Sequence, residues 1–290
     1  MYLIKFTPIL SVYFAKAIIE KCENAILSNE KKVLFDLSSS IWADPFAITL
    51  LVGAIKACVA TNKEVSYRRP KEKKLEHQLT NMGFYEWGAG SGKGRNPNSQ
   101  VQLRHLQGVD PLYRDQIIKV LQNKISMSDR VRDSLRFSII ELMTNTFDHS
   151  KTIKGCFICA QAYKSRRSVH LCITDFGIGI LAAPSSVKSY AHLTNSSEAI
   201  LLAVKKGTTS RTTRLGGLGL TYIHEFLKLN HGKIDIISGD GWVHWNYENN
   251  DIKMKKLRVA FEGTIVNISA KADAAGWSIM PSENSEDEIF

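Results

Sequence analysis

The chain has 290 residues, 44% hydrophobic and 23% charged, with a formal net charge of +10. That is room for two ordinary domains with real cores, and it excludes a globally disordered chain. The longest apolar run, Ile48 to Ala60, is broken by Lys56 and falls short of the ~20 residues a membrane-spanning helix needs, so no membrane partner is expected.

The N-terminus alternates over Met1 to Phe6 as a short strand, and Val12 to Leu27 carries Phe14, Ala17, Ile18, Cys22, Ala25 and Ile26 at helical spacing. Lys5, Pro8 and Lys16 interrupt its apolar residues, which suits this strand and helix better than a secretory leader. Lys32 to Leu37 reads as a buried strand, a helix follows Asp44-Pro45 to about Ala60, Glu64 to Arg68 is a strand, and Lys73 to Met82 a helix closed by Gly83. Alternating strands and helices of this kind imply parallel strands with crossover helices. The strand ending Asp36-Leu37-Ser38, the helix opened by Asp44 and the late Met82-Gly83-Phe84 make residues 1–88 resemble a STAS domain, the fold of anti-sigma-factor antagonists. Signalling members of that family carry a phosphorylatable Ser after the helix-opening Asp; here the residues are Pro45 and Phe46, which cannot accept phosphate. The resemblance therefore implies a scaffold or docking surface, and Ser38, Ser39 and Ser40 read as turn formers.

Residues 89–108 read as a Gly-rich linker. Gly88 to Pro97 superficially suggests a phosphate loop, but Trp87 stands where a Walker A motif needs its first Gly, and Gly94 replaces the Ser or Thr that would bind Mg²⁺. Leu112 to Lys124 is one amphipathic helix, and His105, the sole histidine between the two halves, precedes a turn, unlike a histidine-kinase phosphoacceptor on a helical hairpin.

A helix from about Asp129 to Ser150 follows, with Leu135, Ile139, Leu142 and Thr146 on one stripe and Glu141, Asn145, Asp148 and His149 roughly 100° around on another. A carboxylate and a carboxamide one turn apart can hold a hard cation and orient a water, because Mg²⁺ takes oxygen ligands and keeps several waters. Next come a strand at Gly155 to Ala160, whose period of two sends Cys156 and Cys159 to opposite faces, and a strand at Ser168 to Ile173. With five scattered cysteines and no need of disulfides, the chain suits a reducing cytoplasm.

Directly after that strand stands Asp175-Phe176-Gly177-Ile178-Gly179, and further on Gly216-Gly217-Leu218-Gly219 opens a helix from Thr221 to Leu227. Strands at Gly232 to Ile236 and Gly263 to Ile268 close the pattern. The ordered set, a helix with Glu and Asn, then Asp-x-Gly-x-Gly, then Gly-x-Gly, resembles the GHKL ATPases, which include gyrase, heat-shock-chaperone, histidine-kinase and mismatch-repair members. The implied fold over residues 109–273 is an α/β sandwich, a mixed sheet with helices on one face, followed by an acidic tail at 274–290.

That resemblance implies ATP and Mg²⁺ as ligands. Asn145 would coordinate the metal and Glu141 would be the general base. Asp175 would accept the adenine amino hydrogen, Gly177 and Gly179 would let the backbone approach base and sugar, and Gly216, Gly217 and Gly219 would present N–H groups to the phosphates. Thr264 would complete the adenine pocket, and His149 and Lys151 are candidates to reach the phosphates. The stretch from Leu181 to Arg214 has the place and length of an ATP lid, Trp242 to Asn250 reads as an exposed hairpin, and the tail from Ser282 as disordered.

The function expected first is an ATP-hydrolysing conformational switch coupled to a protein partner, STAS-type proteins and a second copy of the chain being left open as partners. The alternatives are an anti-sigma-factor-like protein serine kinase and a non-catalytic nucleotide-sensing or nucleic-acid-binding adaptor. Retention of Glu141 favours the first two, since binding alone needs no base. Much of the positive charge is scattered Lys and Arg, so nucleic acid is allowed but not favoured.

Overall fold

A computed structural model describes residues 1–87, 103–122, 129–149, 155–163, 168–182, 193–205 and 219–271. The N-terminal half runs β1 (Tyr2–Lys5), β2 (Ile9–Leu10), a 3-10 turn (Val12–Phe14), α1 (Ala15–Leu27), β3 (Lys32–Asp36), β4 (Trp42–Ala43), α2 (Pro45–Ala60), β5 (Glu64–Arg68) and α3 (Lys73–Asn81). A second 3-10 turn (Phe84–Trp87) ends it. The order β1-β3-β5 is parallel throughout, as alternating strands and helices require, and β2 pairs with β4 in a small parallel ladder.

The second half runs β6 (Arg104–Leu106), α4 (Pro111–Gln122), α5 (Asp129–His149), β7 (Cys156–Tyr163), β8 (Ser168–Asp175), α6 (Gly179–Ala182), α7 (Ser196–Ala203), α8 (Gly219–Leu229), β9 (Lys233–Asn246) and β10 (Asp251–Lys271). Its sheet has the order β6-β7-β8-β10-β9. Where a mixed sheet is expected, all four pairings among the described residues are antiparallel. For two of the four the reason is local: β7 and β8, and β9 and β10, are consecutive strands with short connections, which join antiparallel neighbours. Arg104–Leu106, inside the stretch expected as linker, is an edge strand of this sheet, with Leu103 and Leu106 buried.

The two halves share one of two apolar clusters. Alternate residues of the five-stranded sheet divide between two apolar clusters. Ile158, Leu171, Ile173, Ile236 and Val266 pack with α4, α5 and α8. Phe157, Cys159, Cys172, Ile237 and Ile265 pack with α1, α2 and the three-stranded sheet. Helix α2 thus lies between two sheets, which is why its sequence is apolar on every side rather than along one stripe: every residue from Pro45 to Ile55 is buried. Burial of each large aliphatic residue there stabilises the fold by about 1.5–3 kcal/mol. The helix starts on Asp44, whose carboxylate accepts the N–H groups of Ala47 (3.0 Å) and Val12 (3.2 Å), and burial pushes its pKa up to about 7. It surfaces at Lys56, whose ammonium lies 5.9 Å from the Trp87 ring centroid, and at its last residues, Val59 and Ala60.

Ser38, Ser39 and Ser40 spend their hydroxyls on the turn after β3, donating to Asp36 Oδ1, the Phe6 carbonyl and the Thr7 carbonyl. Cys156 and Cys159 fall on opposite faces, one in each cluster, and burial raises both thiols well above their ordinary range. His105 stacks on Phe157 at 4.7 Å in β6.

Two further sequence expectations need correction. The stretch Trp242 to Asn250 does form a hairpin end, but Trp242, Val243 and Trp245 are buried, not exposed. Trp242 Nε1 donates to Asp235 Oδ1 (2.9 Å) and Lys255 covers its ring at 3.8 Å, while Trp245 packs edge-on against His224. Within the stretch expected as a lid, α7 is a capped helix. Asn195 Oδ1 accepts the N–H groups of Ser197 and Glu198, and Ala199 and Ile200 are fully buried, with α7 against β9. Residues 183–192 and 206–214 of that stretch lie outside the described residues, as does the tail beyond residue 271. No helix among the described residues is long and apolar enough to cross a membrane.

Candidate functional site

The residues that matter lie on the face of the five-stranded sheet covered by α5 and α8. Ile173 at the end of β8, Ile236 in β9 and Val266 in β10 belong to that face, so by strand alternation Asp175, Ser238 and Thr264 do too. Asp175 and Thr264 are direct cross-strand partners, and Thr264 pairs with Ser238 on its other side. The end of β8 and the adjoining interior positions of β10 and β9 therefore bring three polar side chains into one row.

Asp175 is 2% exposed. Its Oδ1 accepts the Gly177 N–H (2.9 Å), and the Thr264 backbone N–H also bonds the carboxylate. Burial outweighs both bonds and pushes its pKa up to about 7. Ser238 Oγ accepts the Ile180 N–H (2.8 Å), donates to the Gly263 carbonyl (2.9 Å) and lies 3.4 Å from Thr264 Oγ1. Sequence reasoning missed Ser238, because a lone serine in a strand carries no signal.

Two glycines permit this approach. Gly179 has φ +76°, and a Cβ there would stand 2.8 Å from Ser238 Oγ. Gly263 has φ +130°, and a Cβ would stand 2.0 Å from the Asp175 carbonyl oxygen, a backbone atom that cannot step aside. Gly263→Ala is therefore expected to lower folding stability by about 1–3 kcal/mol or more, combining a disallowed φ with the clash. Gly108, where an added Cβ meets nothing within 4 Å, is the control. Urea denaturation of Gly263→Ala and Gly108→Ala checks this, and equal midpoints would remove the tight β8 to β10 crossing from the site.

Helix α5 supplies the other wall. Leu135, Ile139, Leu142 and Met143 are buried against the sheet and α8. Thr146 completes the stripe by donating its hydroxyl to the Leu142 carbonyl (3.0 Å). Glu141 and Asn145, one turn apart on the adjoining face, are both partly exposed residues. Glu141 Oε2 is nonetheless buried with no hydrogen-bond partner. A buried carboxylate oxygen without a donor is costly, and it marks a place where a water, a cation or a ligand group belongs.

Of the remaining expected residues, Gly219 is the first residue of α8, which packs on α5. The Thr221 hydroxyl donates to the Val204 carbonyl (3.4 Å), so the first turn of α8 and the end of α7 are held side by side. Gly216, Gly217 and Lys151 lie outside the described residues, and so do the side chains of Asp148 and His149. The structure therefore unites Asp175, Gly177, Gly179 and Thr264 through hydrogen bonds and cross-strand pairing, and sets Glu141 and Asn145 on a helix covering the same sheet face.

Among the described residues no group of three or more His, Cys, Asp or Glu side chains could hold a metal ion. Glu141 and Asn145 offer oxygens that suit a Mg²⁺ carried mainly by a ligand's phosphates and by water. No protein-family model matches the chain, and no curated protein matches it in sequence.

Proposed function

We propose that the chain is a GHKL-type protein that binds ATP with Mg²⁺ and hydrolyses it as a conformational switch acting on a protein partner, with a STAS-like unit at its N-terminus and the cytoplasm as its place of work. The observation that carries this reading is a buried carboxylate, Asp175, at a strand end, bonded to Gly177 N–H and flanked by Thr264, beneath a helix that bears Glu141 and Asn145.

In this reading Asp175 accepts the adenine amino hydrogen, and Thr264 and Ser238 line the same wall. The Asn145 amide oxygen would hold Mg²⁺, which when bound offsets charge on the phosphates. Glu141, through its unpartnered Oε2, orients a water and takes its proton as the water oxygen bonds the γ-phosphorus and the bond to the leaving ADP oxygen breaks. The N-terminal unit offers no phosphoacceptor directly after Asp44, because neither Pro45 nor Phe46 has a hydroxyl. This favours the switch over a kinase acting on its own chain.

The pKa of Asp175 gives a test. The adenine amino group donates, so it needs the carboxylate, yet the free protein holds the proton up to about pH 7. Below that pH the proton must leave as ATP binds, and affinity falls by roughly tenfold per unit. The facing Cys156 thiol is raised by burial and stays neutral across this range. Calorimetric titration with ATP and Mg²⁺ should give about tenfold tighter binding at pH 8 than at pH 6, with proton release at pH 6 read from buffers of different ionisation enthalpy. Asp175→Asn should flatten the dependence. Absence of ATP binding at either pH would end the reading. For the fold the sign is opposite: a raised acid stabilises the native state most below its unfolded pKa, and that contribution fades as pH rises toward 7.

A further inference from the structure

Strand alternation puts Asp175 on one face of β8 and its neighbours Thr174 and Phe176 on the other, against α2 of the N-terminal half. The contact is close. A Cβ added to Gly53 would stand 1.9 Å from Phe176 Cε2 and 2.4 Å from Cζ, so the ring lies directly on the α2 backbone. It has no easy retreat, being 7% exposed and wedged edge-on between Phe157 (6.0 Å) and Phe261 (5.2 Å). One turn earlier on the same stripe of α2, Thr49 Oγ1 meets Thr174 Oγ1 at 2.9 Å and Cys172 Sγ at 3.3 Å. Thr49 Oγ1 also bonds the Pro45 (3.0 Å) and Phe46 (3.1 Å) carbonyls of its own helix, so its contact with Thr174 marks the register of helix against strand while the Phe176 ring on Gly53 holds it.

We infer that α2 is the back wall of the Asp175 pocket: Gly53 and Thr49 are positioning residues that set Phe176 and Thr174, and through them the Asp175-Phe176-Gly177 turn, so that the state of the pocket and the state of the N-terminal unit are coupled. The coupling is reciprocal by linkage: what shifts α2 changes ligand affinity, and what fills the pocket steadies α2. The positioning contact stands on the packing alone. The identity of the ligand rests on the ATP reading above.

The test is Gly53→Ala, a change of one methyl group remote from Glu141. In the free protein the added methyl displaces the Phe176 ring and loosens the turn, so hydrogen exchange at the Gly177 amide, which is bonded to Asp175 in the native chain, should speed up about tenfold. With ATP and Mg²⁺ the Kd should rise about tenfold while turnover at saturation stays near wild type, because α5 is untouched. Phe176→Leu in the Gly53→Ala background makes room for the methyl and should restore both readouts. If Gly53→Ala alone does not fold, that double variant carries the test: a folded chain with Gly177 protected supports the inference, and failure to restore folding overturns it. A folded Gly53→Ala chain with wild-type protection of Gly177 also overturns it. If wild type binds no ATP while Gly53→Ala still unprotects Gly177, the wall stands and only the ligand assignment falls.

Discussion

Glu141→Ala is expected to bind ATP with Mg²⁺ nearly as tightly as wild type while turning it over about 10²–10⁴-fold more slowly, the range usual for loss of a general base. The asymmetry follows from when the side chain is needed. A carboxylate that takes the proton of an attacking water matters to the transition state and little to the ground state. In the free protein Glu141 Oε2 is a buried oxygen with no donor, so its removal also relieves a desolvation cost and leaves the α5 packing of Leu135, Ile139 and Leu142 intact. Asn145→Ala should do the reverse, weakening Mg²⁺-dependent binding more than turnover of what is bound. Steady-state rates beside equilibrium titrations separate the two, and a Glu141→Ala protein as fast as wild type would remove Glu141 from the general-base role.

The second large effect is on nucleobase choice. A hydrogen bond to a charged acceptor contributes about 1.5–3 kcal/mol, which is roughly ten- to hundred-fold in affinity. Guanine presents a carbonyl where adenine presents its amino group, so above about pH 7, where Asp175 is ionised, two acceptors would meet without a proton. Asp175→Asn replaces an acceptor by a group that can also donate. Weaker ATP binding and a smaller preference for ATP over GTP are expected, with the Gly177 N–H bond kept by the amide oxygen and the fold retained. Calorimetry of both nucleotides on both proteins decides it; unchanged ATP affinity would make Asp175 only the cap of the turn it already bonds.

Much of this architecture is legible in the sequence because it is local. The helix bearing Glu141 and Asn145 follows from apolar spacing within Asp129–His149, and the parallel order of β1, β3 and β5 from the alternation of strands and helices. Asp175 and Thr264 are legible through the glycines beside them, but their pairing across so long a stretch of chain is not a property of either segment. The short strand β6 escaped because three residues cannot show a period, and α7 because a polar capping run, Asn195 to Glu198, reads as loop unless the apolar turn after it is counted. The largest omission is the shared core. The even apolarity of α2 says that it is buried on all sides, yet nothing within Pro45–Ala60 says that its second neighbour is β8, or that Gly53 is small because Phe176 needs the space.

The most direct measurement is to incubate the purified chain and Glu141→Ala with γ-labelled ATP and Mg²⁺ and to follow the label. Release as free phosphate by wild type, abolished in Glu141→Ala, is the expected result. Label that stays on ATP in both proteins, or that moves onto protein instead of into phosphate, would contradict an ATP-hydrolysing switch.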